Sequence, residues 1–321
     1  MRTHVMRWFM AAAMVVLAAQ AAAEQAAPPE TGVQAAAPVL VELRLKDGSV
    51  IYGVVQTETA DRVVVKTIAG VIVEVERTQI ATLQPARGQI VAGQFRPADS
   101  NATRLLFSPT GRSLKKGQGY VGVYEFLLPF VQVGITDRLS IGLGTPLIFF
   151  GDESSRPVWF TPKYQFYKGP KTSAAVGVMH FVIFGEDARV GLAYAVATTG
   201  TDDNALTAGA GWAYARYHED QYNDSSCVGA TPATAAACAV PERTTKTSGS
   251  PIAMVGGEHR VSRRVKVVTE NYLFKSGGIA SVGVRFLGER LSADLGVFAP
   301  LTGEDVFVLA PIVNFVWTFG T

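Results

Sequence analysis

From Tyr120 onward the chain is a succession of short β-runs broken by turn residues. Beyond residue 23, no stretch reaches the ~18 consecutive apolar residues that a membrane helix needs. Twelve runs can be read: 120–127, 130–136, 139–146, 157–167, 173–184, 189–198, 206–217, 252–260, 264–274, 279–287, 290–299 and 306–319. Side chains alternate across a strand, so each run presents two faces. In the last run Phe307, Leu309, Val313, Phe315, Trp317 and Phe319 share one face, and Asn314 and Thr318 the other. Leu139, Ile141 and Leu143 oppose Ser140, Gly142 and Gly144; Leu291, Ala293, Leu295 and Val297 oppose Ser292, Asp294 and Gly296. Ala280, Val282, Val284 and Phe286 oppose Ser281, Gly283 and Arg285. A chain that is 48% hydrophobic with mean hydropathy +0.20, yet spreads its apolar residues this way, fits two architectures. A soluble sandwich turns the apolar face inward; a membrane barrel turns it to lipid.

Three features favour lipid. Aromatic residues gather near run ends (Tyr120, Tyr124, Phe126, Trp159, Tyr167, Trp212, Tyr217, Trp317, Phe319), as interfacial girdles do. The opposite faces are rich in Gly and Ala, which suits a crowded lumen. Several links are very short, whereas the one between the seventh and eighth runs covers about 30 residues, as for short inner turns and long outer loops. An even number of runs puts both barrel ends on one side. Pro162 and Pro311 fall inside runs and depart from ideal strand chemistry.

The stretch Val133-Gly134-Ile135-Thr136-Asp137-Arg138-Leu139-Ser140-Ile141-Gly142-Leu143 resembles a periplasmic hairpin common in outer-membrane barrels. Phe319 resembles their carboxy-terminal aromatic assembly signal, although Gly320 and Thr321 follow it. The stretch from Asn101 through Leu105-Leu106-Phe107-Ser108-Pro109-Thr110-Gly111 to Gly119-Tyr120 is similar to one in uncharacterised bacterial outer-membrane proteins, and implies no mechanism. These resemblances imply an all-β chain: an antiparallel transmembrane β-barrel of about twelve strands in a bacterial outer membrane, over residues 119–321.

Ahead of the barrel, Arg2 and Arg7, an apolar stretch over 8–19 and Ala21-Ala22-Ala23 before Glu24 read as a secretory signal over 1–23. Residues 24–38 are Ala/Pro/Gln/Glu-rich and read as a flexible leader. Residues 39–85 show compact β-patterning around the turn signal Asp47-Gly48. With Leu45-Lys46-Asp47-Gly48, Gly53-Val54-Val55, Val63-Val64-Val65, Val73-Glu74-Val75 and Ile80, this segment resembles Sm-like and related SH3-like small barrels. Its five basic residues face six acidic ones, a balance opposed to nucleic-acid binding, as is the whole-chain net charge of +2. A small periplasmic domain that acts as a spacer or docks a protein partner is the expectation. Residues 86–118 read as a linker, or as a plug carrying Arg112, Lys115 and Lys116.

Alternation points seven charged residues into the lumen: Glu125, Lys163, Arg189, Lys266, Glu270, Arg285 and Asp294. On the lipid face an Arg or Lys at mid-bilayer would cost about 2–4 kcal/mol. Arg285 is expected diagonal to Asp294 and within reach of Glu270. Such residues form either a solute-selecting constriction or a salt-bridged filling. Among the histidines left after cleavage (His180, His218, His259), none accompanies a nucleophile motif, so the chain is not expected to be an enzyme. No cofactor or metal motif is present. Cys227 and Cys238, in an exported chain, are expected to clamp the long loop 218–249 as a disulfide. The functional expectation is a passive small-solute channel or structural component contacting outer-membrane lipid. The alternative is a membrane anchor that presents the Sm-like unit to a partner, with an outer-membrane enzyme third.

Overall fold

The computed structural model describes residues 39–147, 157–183, 188–221, 242–301 and 309–320. The signal, the leader and the Cys227–Cys238 pair lie outside them. The chain divides into two compact units between Gln84 and Pro85.

The first unit contains β1 (Leu40–Leu45), β2 (Val50–Glu58), β3 (Arg62–Thr67), β4 (Ile72–Glu76) and β5 (Ile80–Pro85), in the sheet order β4-β3-β2-β1-β5. Gly48 supplies the positive φ that the β1–β2 turn requires, and the Ser49 amide donates to Asp47 Oδ1 at 2.8 Å. Leu43, Val63, Val65 and Val75 form the core.

The second unit begins with the hairpin β6 (Gly88–Val91) and β7 (Gln94–Pro97). The barrel then follows: β8 (Gly119–Tyr124), β9 (Leu128–Gly134), β10 (Leu139–Gly144), β11 (Pro157–Lys168), β12 (Thr172–Ile183) and β13 (Arg189–Gly200). It is completed by β14 (Asn204–Gln221), β15 (Glu242–Ser262), β16 (Val265–Phe274), β17 (Gly277–Leu287), β18 (Leu291–Leu301) and β19 (Ala310–Phe319). These twelve antiparallel strands close on themselves, with β19 pairing β8. Turns of two to four residues (135–138, 169–171, 201–203, 263–264, 288–290) share the near end with the start of β8 and the end of β19.

The pleat sorts the residues as alternation requires. On β19 Ile312, Asn314, Val316 and Thr318 are buried, whereas Phe315 and Trp317 are exposed. On β17 Ser281, Arg285 and Leu287 are buried, whereas Val282 and Phe286 are exposed. The apolar face is therefore outside and the polar face inside, the reverse of a soluble fold.

Glycines inside the barrel accommodate rings from neighbouring strands: Phe130 lies over Gly142 and the Tyr194 hydroxyl end over Gly177. A Cβ at Gly177 would meet that hydroxyl and stand 2.8 Å from the Pro162 carbonyl oxygen. Gly177→Ala is expected to destabilise the barrel by about 1–3 kcal/mol, read as an earlier denaturant midpoint for the loss of folded electrophoretic mobility.

One stretch differs from the sequence expectation. Residues 218–221 and 242–251 continue β14 and β15 as a hairpin, paired through His218↔Thr245 and Asp220↔Arg243, where a loop over 218–249 is expected. The returning stretch is rich in Thr and Ser and carries no alternating apolar residues, so no hydrophobic signal marks the strand, yet β-branched Thr suits it. Residues 98–118, which have little strand pattern, run inside the barrel.

Candidate functional site in the barrel lumen

Residues 98–118 enter from the near end and fold back on themselves. The Thr110 amide donates to the Thr103 carbonyl at 2.9 Å, and the Leu105 amide to the Ser108 carbonyl at 2.8 Å. The loop reaches far along the lumen, because Phe107 meets Tyr124, the last residue of β8, with ring centroids 5.9 Å apart. The return limb reaches the near end again, where the Lys116 amide donates to Asp137 Oδ1 at 2.9 Å.

The loop is irregular, so the ladder leaves its backbone groups without partners. Buried groups of that kind must be satisfied some other way. Here barrel side chains satisfy them. Arg285 donates to the carbonyls of Asn101 (3.2 Å), Arg104 (3.2 Å) and Leu105 (2.6 Å). Lys163 donates to those of Thr103 (3.3 Å), Thr110 (3.4 Å) and Arg112 (2.6 Å). Asn314 donates to the Leu106 carbonyl at 3.0 Å and Gln165 to the Gly111 carbonyl at 2.9 Å. Glu270 Oε2 accepts the amides of Phe107 (3.0 Å) and Ser108 (2.9 Å), while Tyr272 donates to its Oε1 at 2.6 Å. Thr198 accepts the Gly111 amide at 2.8 Å.

Several of the charges compensate one another. Arg285 faces Asp294 directly across β17–β18 rather than diagonally, and donates to its two oxygens at 2.7 and 3.0 Å. Its guanidinium also meets Asp99 of the loop at 3.0 Å. Lys266 bridges Asp99 and Glu258, both at 2.9 Å. Glu258 also pairs with Arg112 of the return limb. Side chains of Asp99, Lys266 and Arg285 are wholly buried. Glu270 pairs across the ladder with Ser281 and serves the loop tip instead of Arg285.

Apolar contact completes the seat. Leu105 and Leu106 are fully buried against Val268 and Ile312. Arg104 lies over the Phe130 ring, 4.5 Å from its centroid, and donates to the Tyr120 hydroxyl at 2.7 Å.

Five of the seven charged residues expected in the lumen thus lie there: Lys163, Lys266, Glu270, Arg285 and Asp294. Two do not. Glu125 sits in the three-residue β8–β9 turn (125–127) with φ 52°, beside Phe126 at φ 59°, and accepts the Val313 amide at 3.4 Å. That turn takes it out of strand alternation. Burial lifts its carboxyl above the usual range, against the Val313 hydrogen bond. Arg189 is exposed and shares the outward phase of β13 with exposed Ala193 and Ala195. Tyr194, Val196 and Thr198 form the opposite, inward phase, without a bulge between, so Arg189 was one residue out of phase in the expectation.

Asp99, Arg104, Glu258 and the Leu105-Leu106 pair belong to the same assembly, although periodicity gave them no signal. The histidines have ordinary partners: His180 meets the Tyr214 hydroxyl at 2.7 Å, His218 meets Thr245 at 3.2 Å, and His259 meets Asn204.

No family model matches the chain, and no curated protein matches it. Among solved structures the chain is similar to the KdgM porin in complex with disordered oligogalacturonate, with a TM-score of 0.40, 7% identity, and coverage of 63% of this chain and 98% of that one. It is also similar to the NanC porin, with a TM-score of 0.38, 7% identity, and coverage of 64% and 99%. A third likeness is to the toluene transporter TbuX of Ralstonia pickettii, with a TM-score of 0.36, 9% identity, and coverage of 71% and 74%.

Proposed function

We propose that this protein is an outer-membrane barrel that is closed at rest by its own residues 98–118 and passes small solutes only when that loop leaves its seat. The outward apolar face supports the membrane placement. Wholly buried Arg285, bonded to three loop carbonyls, Asp99 and Asp294, supports the closed state more than any other observation. On this reading the inward charges hold the loop, and become a solute-facing surface only after it leaves.

A second reading has support of its own. A filled lumen also suits a membrane anchor. The first unit has its own core, and its continuous five-strand order supports an Sm-like relation and a role as a docking module for a periplasmic protein.

Planar-bilayer recording separates these readings. The intact barrel is expected to be silent, and a variant with residues 98–118 replaced by a Gly/Ser tether of equal length is expected to give discrete, salt-dependent steps. Steps from the intact barrel would mean an open lumen with a selecting constriction. Silence from the folded variant would favour the anchor.

A further inference from the structure

Arg189 and Arg216 stand directly opposite each other on β13 and β14, and both are exposed. Both belong to the outward phase. From the near end, the outward positions of β14 read Asn204, Leu206, Ala208, Ala210, Trp212, Tyr214 and Arg216. The row is polar, then apolar, then aromatic, then cationic. At the near end Asn204 is hydrogen-bonded to His259 of β15.

Asn204 and Arg216 lie twelve residues apart on one strand. At about 3.3 Å per residue that is roughly 40 Å of strand, and a tilt of about 40° reduces it to roughly 30 Å of height. That matches a hydrocarbon core of ~30 Å. The Arg pair therefore sits where head groups begin. One row nearer the membrane, Phe160, His180 and Tyr214 fall in register across β11, β12 and β14 as an aromatic band.

Neither guanidinium forms a hydrogen bond or ion pair with another described residue. Like charges directly opposite on adjacent strands repel one another. A shared anion converts that repulsion into two charge-assisted contacts, and the planar guanidinium fork matches phosphate oxygens.

We propose that Arg189 and Arg216 bind the phosphate of a lipid head group in the leaflet farther from the barrel's chain ends. The proposal rests on the membrane placement above. The aromatic row directly beneath the pair favours a lipid over a free anion, because it offers the acyl-chain side of the same molecule a surface.

The test uses the full mature chain refolded in zwitterionic detergent and native mass spectrometry. Three probes are titrated: a phosphorylated glycolipid, the same glycolipid without phosphate, and inorganic phosphate. Retention of the phosphorylated lipid alone is expected. In R189Q/R216Q its affinity should fall roughly tenfold or more, the loss of a charge-assisted contact. R216K should retain part of it. K275Q, which removes an exposed charge in the 275–276 turn at the same end, should retain all of it.

Equal retention by R189Q/R216Q would overturn the proposal. So would inorganic phosphate competing at the lipid's own concentration, which would leave an anion site without a lipid. Vesicle flotation of the wild type tests the placement separately. Failure to float sinks the membrane reading, whereas flotation without phosphate selectivity sinks this proposal alone.

Discussion

Arg285→Ala is expected to cost about 3–5 kcal/mol of barrel stability and to open the lumen. The side chain is wholly buried, and its removal strands Asp294 and leaves Asp99 with Lys266 alone in a closed interior. It also leaves the carbonyls of Asn101, Arg104 and Leu105 without that donor. Breaking a buried ion pair from one side is costly because the remaining charge keeps its desolvation penalty. Loss of the loop from its seat relieves Asp99 by returning it to water, so conductance should appear at lower denaturant than barrel unfolding. Arg285→Met with Asp294→Leu serves as the control, because it removes the barrel's side of the charge and packs the space. That pair should restore much of the stability without restoring the hold on the loop. Heat-modified gel mobility gives the stability, and bilayer recording gives the opening.

The second large effect is steric. Gly111 lies where the return limb crosses β12 and β13. A Cβ there would meet the Ser173 carbonyl and stand 3.0 Å from the Thr198 amide nitrogen. Both are backbone atoms held in the ladder, so neither can give way cheaply. Gly111→Leu should therefore prevent the return limb from seating while it leaves the strands themselves untouched. Discrete conductance from a barrel with wild-type heat-modifiable mobility is the expected result. Silence from such a barrel would mean that the lumen stays closed without a seated return limb.

The twelve strands were legible because a period of two survives even in weak segments. The run ending at Trp317 and Phe319 and the one carrying Arg285 each expose one face and bury the other. The Arg285–Asp294 pairing followed from the same pattern, with only the register displaced. The loop could be read only as a linker or a plug, for the opposite reason. Its backbone has no period, and most of its seat consists of carbonyls and amides, which every residue type carries alike. Nothing in the sequence therefore singles out Asp99 and Arg104, which the fold sets beside Lys266 and Phe130. Arg189 shows the limit of alternation near a strand's first residue, where no earlier position fixes the phase. Glu125 shows the same limit at a tight turn.

Both limbs of residues 98–118 pass through the same mouth of the barrel. The loop can therefore be drawn out as a bight, with no chain end to thread and no strand to unzip. The return limb runs straight into β8, which forms the closing seam with β19. Gly117, at φ 77°, makes the turn between them, and its amide donates to the Gly134 carbonyl at 2.9 Å. On the proposed function, then, the topology lets the loop be withdrawn and reseated without unmaking the barrel.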